Sequence, residues 1–395
     1  MTLHGSLQSP NHVKSVVPPG RRVCFLINSM EGGGAERAMA NLINLLLPFL
    51  DAQQVELVLL DDFPCEQTLP PGLKVTTLPG RGTTLRSLLD LNRHWAKPGH
   101  RPDVCISFLA RANIINVMLA RRFRHKAIIS ERVNTSSHIA ASRAEPVLAR
   151  IIRTLYPRAD RVLAVSAGVA DDLVTRFGVR RQKISVIGNP VDGDRLIAMA
   201  KEEPGIDLPD DFFVGIGRLV ANKNFALLLD AYARSETTSS LVILGQGPDL
   251  DSLRDQARGL GIEDRVIFAG FVRNPYPIVA RARALVSASR AEGFPNTLVE
   301  AISLGCPVIA TDCPSGPADV LGSDVARAWP WPEDAHGLLI PMEDVDAMAA
   351  AIRALDDDTV RRNYVEKATA RAKDFGVTAA TEAYLDILKE VFEPG

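Results

Sequence analysis

From residue 23 onward the chain alternates short, almost wholly apolar runs with longer stretches in which apolar side chains return every three or four positions. An apolar run of four to eight residues between turn formers reads as a strand buried on both faces, and a return at helical spacing reads as an amphipathic helix. Residues 23–28 predict a first strand, then a Gly-rich turn and a helix over 35–49. Runs at 54–60, 74–78, 103–108, 126–130 and 161–165 predict further strands, separated later by helices over 85–95, 112–123, 142–155 and 167–177. Strands and helices in steady alternation imply a parallel sheet covered on both faces.

The pattern lapses over residues 188–209, where Asn189-Pro190-Val191-Asp192 and Glu203-Pro204-Gly205 supply turn formers. It then resumes with strands at 212–216, 240–244, 265–268, 284–287, 307–310 and 338–340. Helices are predicted at 225–233, 249–260 and 297–304 and from 345 onward. The expected fold class is therefore α/β: two Rossmann-like, doubly wound parallel-sheet domains facing a cleft. Their predicted bounds are 21–190 and 210–375, with a linker at 191–209 and a last helix, 376–395, crossing back to the first domain. Residues 1–20, polar and Pro-rich, read as a disordered lead-in without the apolar middle of a signal peptide.

A length of 395 residues suits two cores, and 46% hydrophobic with 23% charged residues is a globular composition. No apolar run approaches the roughly 20 residues that span a bilayer. Five scattered cysteines, none in a CxxC pair, fit a reducing cytoplasm and predict no metal site. The net charge of −2 conceals an asymmetry: residues 1–200 hold 26 Lys+Arg against 16 Asp+Glu, and residues 201–395 hold 19 against 31. Basic residues gather at 121–126 and at Arg143, Arg150, Arg153, Arg158 and Arg161. With no nucleic-acid motif beside them, they point to an anionic membrane surface as a partner rather than to nucleic acid.

The densest chemistry lies at 287–310. Glu292 sits on a loop after a strand, Gly293-Phe294-Pro295 cannot continue a helix, and Asn296 stands where a helix N-cap is expected. The helix start then offers backbone N–H groups to an anion, with Glu300 one turn inside, within reach of a ribose diol. After the strand at 212–216, Arg218 and Lys223 lie five apart in a Gly-containing loop, where both can converge on a diphosphate and neutralise a phosphate leaving group. In the first half, three glycines, Gly32, Gly33 and Gly34, follow the first strand. Their spacing is not that of a dinucleotide fingerprint, although Asp61 stands at the end of the second strand.

The E-x7-E pair, the Gly-Phe-Pro loop and Gly305-Cys-Pro-Val-Ile-Ala310 together resemble the GT4 family of retaining glycosyltransferases, whose fold is GT-B. The resemblance implies that Glu300 holds the ribose and Glu292 the transferred sugar. It places the backbone of Phe294, Asn296 and Thr297 near sugar and diphosphate, and Arg218 and Lys223 on the diphosphate without any metal or other cofactor. It also implies that the backbone at Val272 reads the base and that Gly33 and Gly34, in Gly-Gly-x-Glu-Arg, close over the donor phosphates. Catalytic roles fall to Arg218, Lys223 and Glu292. No carboxylate matches a covalent nucleophile, so a front-face displacement is implied. Many members carry a histidine after the fourth strand; residues 107–113 carry none, and Arg111 or Asn113 is expected there, with Glu131 and Arg132 also on the acceptor side. His138 reads as loop surface.

The same resemblance implies transfer of a hexose or N-acetylhexosamine from a UDP-sugar, with GDP-mannose the main competitor. The acceptor is expected to be a lipid-linked or polysaccharide glycan of the bacterial surface, such as a polyprenyl-diphosphate-linked one, at the inner face of the membrane. Two rivals stay open: another GT-B enzyme such as a nucleotide-sugar epimerase, and a non-catalytic nucleotide-sugar-binding scaffold.

Overall fold

The computed structural model describes residues 17–31, 33–140, 145–322, 331–332 and 334–393. Most of the expected lead-in, Gly32 and Arg143 lie outside the described residues. The chain divides into two compact units. The first holds the described residues up to Val165, Ala170–Ile187 and those from Thr378 on; the second holds Ser166–Val169 and Gly188–Val377.

In the first unit the elements run β1 (Val23–Ile27), α1 (Gly34–Leu46), β2 (Val55–Leu59), β3 (Lys74–Thr77), α2 (Thr84–Trp95), β4 (Val104–Phe108) and α3 (Ala110–Phe123). They continue with β5 (Lys126–Glu131), α4 (Thr135–Ala140), α5 (Glu145–Leu155), β6 (Arg161–Ala164), α6 (Ala167–Phe177) and β7 (Ile184–Val186). In the second unit they run α7 (Gly193–Met199), β8 (Phe212–Ile216), α8 (Phe225–Ser235), β9 (Ser240–Leu244), α9 (Leu250–Gly259), β10 (Val266–Gly270) and α10 (Tyr276–Val279). After these come β11 (Leu285–Ser287), α11 (Asn296–Ser303), β12 (Val308–Thr311), α12 (Pro317–Leu321), β13 (Leu338–Ile340), α13 (Val345–Asp356) and α14 (Asp358–Ala372); the last helix, α15 (Val377–Phe392), returns to the first unit.

Every strand pair is parallel. The sheet orders are β3-β2-β1-β4-β5-β6-β7 and β10-β9-β8-β11-β12-β13. The order reverses between β1 and β4 in one unit and between β8 and β11 in the other. At such a reversal the flanking loops diverge and leave a crevice at the carboxyl ends of the strands. Both faces of the central strands are covered, which is why β1, β2 and β4 are buried at every position.

The last helix belongs to the first core: Ala380, Tyr384, Leu385, Ile387 and Leu388 of α15 pack with Val23, Phe25 and Leu57, and Arg161 pairs with Glu390. The segment expected as a linker is corrected. It carries α7, whose first turn is capped by the Asp192 carboxylate accepting from the Arg195 amide at 3.0 Å. The single helix expected over 142–155 is α5, preceded by a separate α4. Strand β7 and the short helices α10 and α12 have no counterpart in the sequence reading, each being too short to show a period. Among the described residues no helix is long and apolar enough to cross a membrane.

Candidate active site

In the second unit the loops after β8 and β11 flank the switch point; they carry Arg218, Lys223 and Glu292, and Glu300 follows on α11. Lys223 ends a short 3-10 turn (Ala221–Lys223), and its methylenes run alongside Gly217. Its ammonium rests on the Glu292 carboxylate, which also accepts from the Ser289 hydroxyl at 2.7 Å. Two strand-end loops are thus joined by one ion pair, with 26% of the lysine side chain and 14% of the glutamate's exposed. Arg218 lies on the same loop as Lys223, exposed and paired with no acid among the described residues. Glu300, half-buried, is the fifth residue of α11.

The ion pair is braced on every side. Arg290 donates to the Ala221 carbonyl at 2.7 Å and to Glu343 at 2.7 Å, and its amide donates to the Asn222 carbonyl. Asn222 returns a bond to the Ala291 carbonyl at 2.9 Å, and the buried Thr311 hydroxyl donates to the Ser289 carbonyl at 2.6 Å. Sequence reading missed Arg290, Glu343 and Thr311. Nothing local marks them, since Arg290 and Glu343 stand 53 residues apart.

The donor loop leading into α11 is set by packing. Phe294 is buried, its ring 6.0 Å from that of Phe375. Gly316, at φ +104°, lies against Pro295, Gly293 and Phe294, so the 311–317 tract backs this loop directly. Pro295, not Asn296, is the N-cap of α11, and Asn296 is its first residue. The expected cap is corrected because the Asn296 side-chain oxygen accepts from Asn189 at 2.6 Å instead of from its own helix. No side chain caps the first turn, and Thr297, half-buried, lies in it. Gly245 and Gly247 do packing work: a Cβ on either would strike the backbone of Gly217 or Leu219. Beyond them β10 ends at Gly270, and half-buried Val272 follows exposed Phe271.

In the first unit the switch-point loops bring Arg111 to Asp61 and Asn28. The guanidinium pairs with the buried Asp61 carboxylate and donates to the Asn28 side chain at 3.2 Å, while the Gly82 amide donates to Asp61 at 2.8 Å. That engagement removes Asp61 as an open ribose ligand. Leu109, which caps α3, sits at φ +75°, a backbone state that costs about 1–3 kcal/mol for a non-glycine residue. Gly33 is the N-cap of α1, with the Glu36 carboxylate folded back over it, and Gly34 faces open space.

Asn113 and Glu131 depart from the expectation of acceptor-facing side chains. Both are buried, and Asn113 spends its amide on Ser107, the Ser130 carbonyl and Glu131. Glu131 also accepts from the Tyr156 hydroxyl. Burial pushes its carboxyl up to about 7, against the hydrogen bonds from Tyr156, Asn113 and Thr135, which oppose the shift. Arg132 is buried too, stacked 4.9 Å from the Phe108 ring centroid, and its Nε has no partner among the described residues. His138 is exposed on α4.

The profile of the glycosyl transferases group 1 matches residues 198–372, and that of Glycosyltransferase Family 4 matches residues 32–195. The chain is 32% identical, over 90% of its length and 96% of the relative's, to a Campylobacter jejuni protein. That relative is the N-acetylgalactosamine-N,N'-diacetylbacillosaminyl-diphospho-undecaprenol 4-alpha-N-acetylgalactosaminyltransferase. The chain belongs to the family-4 glycosyltransferases. A second Campylobacter jejuni relative, an alpha-1,4-N-acetyl-D-galactosaminyltransferase acting on a GalNAc-containing PP-undecaprenol glycan, is 27% identical over 94% of the chain and 99% of the relative. Among solved structures, Anabaena HepE in complex with UDP matches with a TM-score of 0.76 at 20% identity, covering 93% of this chain and 100% of that one. That likeness gives the fold, GT-B.

In this glycosyltransferase the strand-end geometry of the second unit can do two things. It offers cationic groups and an uncapped helix start where an anionic leaving group gathers charge. It also holds a carboxylate, Glu292, already ionically engaged and positioned by Ser289 to accept hydroxyls.

Proposed function

We propose that the chain transfers an N-acetylhexosamine or hexose from a UDP-sugar, with retention of configuration, onto a polyprenyl-diphosphate-linked glycan at the inner face of the membrane. The observation that carries the reading is the Lys223–Glu292 pair at the β8/β11 switch point, beside the uncapped start of α11. A diphosphate entering there draws Lys223 and Arg218 to its oxygens and frees Glu292 for the sugar, while Glu300 holds the ribose. The cations do the charge neutralisation that a metal would otherwise supply, so catalysis needs none. The departing phosphate oxygen takes the acceptor proton on the same face of the sugar.

Retention is supported by the alpha linkages printed in the relatives' names, since an α product from an α-linked nucleotide sugar requires it. The undecaprenol-linked acceptors of those relatives support the acceptor class. A membrane partner is supported by exposed Arg121, Arg122, Arg150 and Arg153 on α3 and α5, helices that touch each other, with Val147 and Ile151 exposed among them. In the first unit Arg111 and Arg132 are the cations proposed to meet an acceptor, with Asn113 and Glu131 holding the segments beneath them.

The test is mass spectrometry of synthetic undecaprenyl-diphosphate-linked mono- and disaccharides incubated with UDP- and GDP-sugars, with and without EDTA. A UDP-dependent mass increment of one residue, insensitive to EDTA and shown to be α by glycosidase digestion, is the expected result. Transfer only from a GDP-sugar, a β product, or abolition by EDTA overturns the corresponding part of the reading.

A further inference from the structure

The first unit carries a cluster of ligating side chains at the amino ends of its strands, and so at the opposite edge of its sheet from its own switch-point loops. Glu56 interrupts the otherwise apolar strand β2, Val-Glu-Leu-Val-Leu, which is buried along its whole length. A carboxylate there must be compensated, because desolvating an unpaired charge is costly. Its compensation is specific. Oε1 meets His94 Nε2 at 3.2 Å, the Thr76 hydroxyl at 2.6 Å and the Lys74 ammonium at 3.1 Å. His100, from the turn after α2, brings its ring to 4.6 Å from that of His94, edge to face. One ligand atom from each of Glu56, His94 and His100 lies within 4.8 Å of the others.

We propose that Glu56, His94 and His100 form a binding site for a divalent transition metal, with zinc the expected occupant. Two imidazoles and a carboxylate suit a borderline cation, and ligand atoms on a tetrahedral zinc lie about 3.3 Å apart given bonds of about 2.0–2.1 Å. The His94–Glu56 separation already has that value, and the His100 ligand atom lies within 4.8 Å of both, so its ring has to move inward on binding. Two observations argue that the cluster is more than a hydrogen-bond network. His100 Nδ1 and the Gln54 side-chain oxygen are both buried without a partner, and both residues line one small cleft with Glu56, Lys74, Arg22 and Pro102.

Lys74 is the competing cation. Its side chain is 44% exposed, so it can leave the carboxylate when a metal arrives, exchanging one positive partner for another. Arg22 also lines the cleft and adds repulsion. This gives the proposal a signature that a structural ion pair lacks: removing Lys74 strengthens metal binding.

The experiment uses the tag-free full chain, stripped with chelator and titrated with ZnCl2 by calorimetry, and with CoCl2 by visible absorption. Expected results are one equivalent of zinc per chain and cobalt bands of a four-coordinate site. Both should be lost in His100→Ala, whose position on a turn makes it the safer variant, and in Glu56→Gln. Lys74→Ala should bind at least threefold tighter. UDP-sugar turnover should be the same with and without zinc, since the cluster lies at the amino ends of the strands, opposite the first unit's own switch-point loops. Zinc binding equal in wild type and His100→Ala, absence of binding, or weaker binding by Lys74→Ala overturns the assignment.

Discussion

Replacing Lys223 by alanine tests the reading of the donor site most directly, because the structure separates its effect on chemistry from its effect on stability. The ammonium has one acidic partner, Glu292, and the pair is partly open to solvent. Exposed or half-exposed pairs contribute about 0–1 kcal/mol after screening, and a unit of this size shifts by about 2–4 °C per kcal/mol. The variant should therefore melt within a few degrees of wild type. Its turnover should fall much further. A positioned donor that meets charge developing on the leaving group is worth about 100–1000-fold in kcat, or about 2.7–4 kcal/mol. The assay is initial-rate release of UDP with cognate donor and acceptor at saturation, alongside a thermal melt of the same preparation. A kcat within about threefold of wild type removes Lys223 from the transition state. A melting loss above about 10 °C assigns it a structural role instead.

Three further outcomes follow from other parts of the molecule. Glu300→Ala should weaken UDP binding about tenfold by calorimetry while UDP-independent stability changes little; unchanged affinity removes the ribose role. Gly316→Ala forces a Cβ toward Pro295 at φ +104° and should cost about 1–3 kcal/mol and weaken donor binding, whereas Gly259→Ala, in open space at the end of α9, should be neutral. A melting point unchanged by Gly316→Ala contradicts that packing. Because the folded Glu131 carboxyl sits near 7, above its unfolded value near 4.5, its contribution is complete below about pH 4.5 and is lost as pH rises through 7. Wild type should therefore lose up to about 3 kcal/mol relative to Glu131→Gln across that window, read from paired urea melts, and a pH-independent difference refutes the assignment.

The two sheets were legible because buried parallel strands are continuous apolar runs, and such runs need no knowledge of their neighbours. The loop and helix start after β11 were legible for a related reason: Glu292, Pro295 and Glu300 lie within nine residues, so their turn formers and charges are read together. What failed to show was whatever depends on partners distant in sequence. Asn296 has the side chain of an N-cap, but Asn189 claims its oxygen from 107 residues away, and Pro295 takes the cap position. Arg290 and Glu343 brace the catalytic loop, yet each alone resembles any surface charge. Asn113 on α3 and Glu131 at the end of β5 carry polar side chains, but their burial depends on Tyr156 and on the strands either side.

The first unit's strand-end loops were less legible for a further reason: residues 107–113 hold no histidine, and the group near the end of β4 is a guanidinium held by Asp61 and Asn28, which follow β2 and β1. An imidazole can exchange a proton near neutrality; a guanidinium stays charged at every working pH. Arg111 therefore cannot act as a proton shuttle. With its charge already balanced by a buried carboxylate, its remaining N–H groups act as fixed, directional donors. On the proposed function, such a site selects an acceptor by where its oxygens lie, and the phosphate oxygen departing from the donor takes the proton.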